Sequence, residues 1–396
     1  MAIGIFLIAT FALGYAMVAK RLESTILTAP ILFLAFGYFL STSGLLPIAG
    51  MEPALHLVAE TTLIILLFLD AAQTNLKALV HKHVWPLRML LIGLPLSVIA
   101  GTVFALPFLP GWPVVAVILL AAILAPTDAA LSQPVISNSL VPERIRRALT
   151  VESGLNDGLA LPLILLFASV TADMMQLGHA NWLTFGAKQL LLGPLVGVAM
   201  GYAGGHILLW AKDNKMTSDP YEGVGAISLA IGAYIGAGLV GGNGFIAAFA
   251  AGLAFGDLVE KRCKFIFEFT ESEGQGLSWA AFLLIGLVLV PEALPHLDAP
   301  TLGLILCSLF IVRPIAIWLS LLGTDSSTRT RLFFGWFGPR GLATALFALM
   351  VVDRISGQFG DEILHIAVNT VWISALLHGV SAAPAARLYA KLSSRQ

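Results

Sequence analysis

The chain has 396 residues, of which 58% are hydrophobic and only 11% charged, with a mean hydropathy of +0.90. A soluble domain carries about 25% charged residues, so this composition excludes an ordinary water-soluble protein and calls for a lipid-facing exterior. The net charge of −1 gives no electrostatic reason for a nucleic-acid partner. The two cysteines, Cys263 and Cys307, match no metal, redox or disulfide spacing.

A bilayer core takes roughly 20 apolar residues as a helix, and thirteen segments qualify. The first, Ile3–Ala19, is followed rather than preceded by the basic pair Lys20 and Arg21. A cleaved leader has the opposite polarity, so this segment reads as a spanning helix with its N-terminus outside. Thr25–Leu46, Leu55–Ala72, Trp85–Leu109, Val114–Val135, Ala148–Ala172 and Leu183–Ala211 follow. Then come Tyr221–Val240, Gly244–Leu258, Gly276–Val290, Thr301–Leu322, Leu332–Val352 and Ile363–Leu388. The ninth and tenth are short, which leaves a re-entrant path open for one of them. With this count, every one of the 22 basic residues except Lys188, Arg354, Arg313 and Arg340 falls on one side. That bias marks the cytoplasmic face and gives thirteen spans, N-terminus outside and C-terminus cytoplasmic. His81, Lys82 and His83, with Glu268, Glu271 and Glu273, read as solvated charge on the inner loops.

Two segments are interrupted. Segment five carries Pro126-Thr127-Asp128, and segment twelve carries Gly338-Pro339-Arg340-Gly341. Seven segments separate them, an odd offset, so they cross the membrane in opposite directions. Broken helices in corresponding, inverted positions point to a transporter binding site. The fold expected is an all-α integral membrane protein of two inverted repeats in one domain, residues 1–396.

Ionisable residues within a span are costly and mark function. Here they are Glu60 and Asp70 in segment three, Asp128 in five, Glu152 and Asp157 in six, Arg313 in eleven and Arg340 in twelve. Ser153 and Asp157 are four apart and share one helical stripe, while Glu152 and Asn156 share the next. The break in segment five exposes carbonyls that favour a cation and amides that favour the Asp128 carboxylate. Thr127 adds a hydroxyl and a carbonyl. Together these are hard oxygen ligands, suited to Na⁺, Li⁺ or K⁺ rather than to a soft metal. Burial penalises a bare carboxylate, and either a proton or a small cation relieves that penalty. The two ions would compete at Asp157, and such competition yields exchange. Arg340 needs a counter-charge, and Glu152 is its expected partner because Asp128 and Asp157 are better left for the ion. Arg313 is expected to cap carbonyls or pair structurally.

The runs APTDAA (Ala125–Ala130), VESGLNDG (Val151–Gly158) and GPRGLATALFAL (Gly338–Leu349), with GFIAAFAAGLAFG (Gly244–Gly256), resemble monovalent cation–proton antiporters of the NhaP/NHE branch. The resemblance covers essentially the whole chain. It implies a core bundle at 85–172 and 301–388, and a dimerising interface domain at 1–84 and 183–290. It implies Asp157, Ser153 and Thr127 as ligands of the transported cation, an Asp128–Asn156 pair holding the break, and a structural Glu152–Arg340 ion pair. Asp70 stands where the family usually has Glu, and Ala129 where it often has Pro. Asn156 before Asp157 implies one-for-one, electroneutral exchange. A homodimer in the bacterial inner (plasma) membrane, serving pH homeostasis without a cofactor, completes what the resemblance implies.

Three rival functions have less support. A channel or uniporter would show repeated rings of carbonyls or acids, whereas the acids here form one compact cluster. An intramembrane enzyme using Ser153 would need a His or Lys base, and the motif has neither. An organic-acid carrier would need several core cations, and the spans hold only Arg313 and Arg340.

Overall fold

The computed structural model describes residues 2–22, 25–46, 50–74, 84–174, 182–260, 262–352, 355 and 358–393. His81, Lys82, His83 and Arg354 lie outside the described residues. The described chain is helical throughout. In order it forms α1 (Ala2–Leu22), α2 (Ala29–Thr42), α3 (Glu52–Ala72), α4 (Val84–Phe108), α5 (Val114–Ile123) and α6 (Ala129–Ile136). Next come α7 (Glu143–Met174), α8 (Trp182–Asp213), α9 (Asp219–Leu239) and α10 (Gly244–Val259). Then follow α11 (Lys264–Leu284, prolonged to Ala293), α12 (Ala299–Ser320), α13 (Thr328–Trp336), α14 (Leu342–Val352) and α15 (Gln358–Ser393). Among the described residues, nine helices are long and apolar enough to cross a membrane, and α2, α5, α10 and α14 are shorter apolar helices.

The two interruptions fall where the sequence places them. Residues 124–128 separate α5 from α6, and residues 337–341 separate α13 from α14. Three further irregularities share one cause. Five-residue π turns occur at Met89–Gly93, Ile285–Leu289 and Ser308–Val312, each two residues before a proline: Pro95, Pro291 and Pro314. Proline cannot donate to the carbonyl four residues earlier, and its ring crowds that carbonyl. Those carbonyls belong to Leu91, Leu287 and Phe310, each at the middle of its π turn.

Segment ten is longer than hydropathy alone suggests. Its helix begins at Lys264, twelve residues before the apolar run at Gly276, because the added turns are polar and hydropathy sees only the lipid-immersed part. The short α10 is enclosed by protein along most of its length. Its Gly252 and Gly256 let the α3 backbone approach so closely that a Cβ would stand 2.2 Å from the Phe68 carbonyl oxygen and 2.1 Å from that of Ala72. Small residues perform this function wherever membrane helices pack backbone to backbone. The contact holds the C-terminal end of α3, and with it Asp70, beside α7.

Candidate functional site

The breaks meet each other. The Asp128 backbone N–H donates to the Pro339 carbonyl over 2.9 Å. The Asp128 carboxylate then serves two helix N-termini, accepting from Leu131 N–H of α6 at 3.0 Å and from Leu342 N–H of α14 at 2.6 Å. A negative charge stabilises a helix N-terminus by about 0.3–1 kcal/mol, and more when partly buried. Here one carboxylate does so for both half-helices. Gly341 makes room for it, since a Cβ at that position would lie 2.0 Å from Asp128 Oδ2.

The C-terminal ends receive donors. Arg340 Nη1 donates to the carbonyls of Ala125 at 2.8 Å, Pro126 at 3.1 Å and Gly338 at 3.4 Å. Arg313 Nη2 reaches the Phe334 carbonyl at the end of α13 over 3.5 Å. Each half-helix end thus meets charge of the sign its dipole favours.

Above this crossing lies the α7 motif. Thr127 Oγ1 is the hub: Asn156 Nδ2 donates to it, it donates to Glu152 Oε2 at 3.3 Å, and it stands 3.4 Å from Ser153 Oγ. Asp157 Oδ1 and Asn156 Oδ1 are buried oxygens with no hydrogen-bond partner. Both are acceptors, and a buried acceptor without a donor carries a desolvation cost of about 1–3 kcal/mol that a bound cation or proton would relieve. Asp70 lies alongside, its Cβ within 3.6 Å of where a Gly154 Cβ would be.

A cavity of about 400 Å³ ends on this cluster, and Asp70, Asp128, Ser153 and Asp157 all line it. Thr127 sits beneath its floor, bonded to the floor residue Ser153. Gln73, Gln133, Thr150 and Gln275 line the cavity too and are exposed, so polar side chains lie along an otherwise largely apolar wall.

A model of the family described as sodium/hydrogen exchanger, transmembrane, matches residues 6–388. The chain belongs to the sodium/hydrogen exchanger family. It is 28% identical over 398 residues to a K(+)/H(+) antiporter NhaP2 of Shewanella sp. (strain ANA-3), covering 96% of this chain and 66% of that protein. It therefore spans just under two thirds of that relative's length. It is 27% identical to the Na(+)/H(+) antiporter NhaH of Halobacillus dabanensis, covering 73% of this chain and 72% of that one. Among solved structures, the sodium proton antiporter MjNhaP1 of Methanocaldococcus jannaschii at pH 8 superposes with a TM-score of 0.79 at 20% identity. That match covers 98% of this chain and 99% of the other, and it shows a shared fold.

Within this exchanger fold, two expected pairings are corrected. Glu152 does not pair with Arg340. It forms a two-pronged ion pair with Arg313, at 3.0 and 3.2 Å, with both groups buried. Arg340 is held by carbonyls instead. From sequence, Arg340 is the expected partner over Arg313, whereas the register of α12 against α7 brings Arg313 to Glu152. Gly338 reinforces the choice: a Cβ there would stand 1.6 Å from Arg313 Nε, so the break itself is shaped around Arg313. The second correction concerns Asn156, which donates to Thr127 rather than to Asp128. Both Asp128 oxygens accept backbone N–H groups instead. Glu60 of α3 accepts from the Tyr234 hydroxyl of α9.

Proposed function

We propose that the chain is a secondary active transporter that exchanges an alkali cation, Na⁺, K⁺ or Li⁺, for a proton by alternating access. The observation that carries this reading is the unpartnered buried oxygen of Asp157 on a cavity of about 400 Å³ that Asp70, Asp128 and Ser153 also line. The cation binds Asp157, with Ser153 and Thr127 as neutral oxygen ligands and Asp70 as a further carboxylate on the same wall. A proton competes for the same Asp157 oxygens. Asp128 supplies fixed charge and organises the crossing. Asn156, Glu152, Arg313 and Arg340 hold the ligands in place. Relatives named for K(+)/H(+) and for Na(+)/H(+) antiport support the substrate class.

Asp128 is committed to two amides and Glu152 to Arg313; of the remaining carboxylates, Asp157, with its buried unpartnered Oδ1, alternates between proton and cation, and Asp70 keeps one charge state through the cycle. One charge for one charge makes the cycle electroneutral. The chain crosses the membrane thirteen times as two inverted repeats, α5–α6 and α13–α14 each counting as one broken span. The N-terminus lies outside and the C-terminus in the cytoplasm of the bacterial inner membrane. Residues 85–172 and 301–388 move as the core bundle against an interface domain, 1–84 and 183–290, that pairs with a second copy. The cavity mouth, at Gln73 and Gln133, lies at the basic, cytoplasmic end of its helices, so the described state faces inward.

Reconstituted vesicles with a preformed ΔpH test the reading. Added Na⁺ or K⁺ dissipates the gradient, at a rate that does not change when the membrane potential is clamped. Persistence of the gradient with both cations would overturn exchange and leave an uncoupled channel as the alternative.

A further inference from the structure

His378 of α15 takes no part in the exchange proposed above, yet it joins both sides of the break in segment twelve. The imidazole is buried, 2% exposed, and its ring stacks on Trp336 at 4.7 Å. Nε2 stands 2.9 Å from the Trp336 carbonyl, the last residue before the break. Nδ1 stands 2.9 Å from the Ser374 carbonyl and 3.2 Å from the Ser374 hydroxyl. That hydroxyl accepts the backbone N–H of Arg340, beyond the break, at 2.7 Å. Trp336 Nε1 donates to Ser381 Oγ at 3.0 Å, so residues 374, 378 and 381 form one α15 face that fastens the broken segment.

A neutral imidazole has one donor and one acceptor nitrogen. A carbonyl cannot donate, so in the neutral ring Nε2, which faces the Trp336 carbonyl, carries the proton, and Nδ1 accepts from the Ser374 hydroxyl. Arg340 N–H in turn donates to the Ser374 oxygen. The three bonds run in one direction across the break. Arg340, fixed by this chain, holds the carbonyls of Ala125 and Pro126, directly before Thr127.

We propose that His378 is a positioning residue for the transported cation: through Ser374 it fixes Arg340, and through Arg340 it sets the Ala125–Pro126 carbonyls and the Thr127 hydroxyl that follows them. The inference rests on the exchange reading. Partners that orient ion ligands from one shell out typically change affinity by about 10–100-fold.

The test uses the full chain in vesicles and in detergent. His378→Ala and Ser374→Ala each raise the KM for the exchanged cation about tenfold, with the maximal rate within about twofold. The double variant is no worse than either single variant, because both cut one chain. His378→Asn places Oδ1 near the Nδ1 position to accept the Ser374 hydroxyl and restores KM toward wild type. On the same samples, hydrogen exchange of the peptide spanning 336–342 rises in both alanine variants. An unchanged KM in His378→Ala, or additive effects in the double variant, would overturn the proposal. If the wild type exchanges no cation, the functional reading fails. Hydrogen exchange alone then decides whether His378 holds the break.

Discussion

Removing one member of the buried Glu152–Arg313 pair leaves the other charged and enclosed. The two groups are 3% and 4% exposed and share two hydrogen bonds of 3.0 and 3.2 Å. Breaking such a pair from one side costs about 3–5 kcal/mol, whereas replacing both partners with apolar residues of similar volume is often neutral. Glu152 also accepts from Thr127, which adds about 1 kcal/mol. Glu152→Leu and Arg313→Met should therefore each lower the apparent Tm of the purified protein, on the order of 5–10 °C. Glu152→Leu combined with Arg313→Met should recover most of that loss. Glu152→Leu combined with Arg340→Met should not, because Arg340 is held by carbonyls and gains nothing from the removal of Glu152. Thermal unfolding in detergent, at one scan rate for all five proteins, reads the cycle. Recovery with Arg340→Met rather than Arg313→Met would refute the assignment of the pair.

Gly341→Ala should abolish most exchange, since its Cβ would stand 2.0 Å from Asp128 Oδ2 and must break the 2.6 Å bond from Leu342. A lost hydrogen bond to a charged group costs about 1.5–3 kcal/mol. Gly154→Ala, on the other side of the site, meets nothing closer than 3.6 Å and should keep near-normal ΔpH dissipation. The exposed carboxylate Asp325, between α12 and α13, accepts from Arg144 at 2.6 and 3.0 Å and from Trp85 at 2.7 Å, and the Arg144 bond comes first in holding its pKa below the ordinary value. A depressed folded pKa stabilises above the ordinary carboxylate value, near 4, and that contribution fades as pH falls through the folded value. The apparent Tm of wild type should thus drop more steeply below about pH 4 than that of Asp325→Asn. The difference will be small because both side chains are more than half exposed.

Much of the architecture is legible in the sequence because lipid forces each span to satisfy its own backbone. Pro126 and Gly338-Pro339 disfavour a continuous helix, and the structure breaks at both places. The clustering of Asp128, Ser153 and Asp157 follows from two such breaks and one α7 stripe, whereas Asp70 reaches it from α3, which the packing of α3 on α10 decides. Partner choice was not legible. Arg313 and Arg340 are both single cations in apolar runs, and nothing local says which one α7 will face. Asp128 could not be seen to cap α14, because Leu342 lies 214 positions away. The π turns follow from Pro95, Pro291 and Pro314, but other helices here contain proline without one, so the residue alone does not fix the outcome. His378 and Ser374 are four apart on α15, a spacing that suggests a pair but not the break they hold.

The central claim is that proton and cation compete for Asp157, and proton release on cation binding tests it most directly. Purified protein is titrated with Na⁺ or K⁺ in lightly buffered solution, and the protons released per cation bound are counted across pH. Binding through a carboxylate that would otherwise carry a proton couples the two ions. The account predicts release approaching about one proton per cation at the acid end of the binding range, with none from Asp157→Asn. Cation binding by the wild type with no proton release at any pH, or undiminished release from Asp157→Asn, would contradict it.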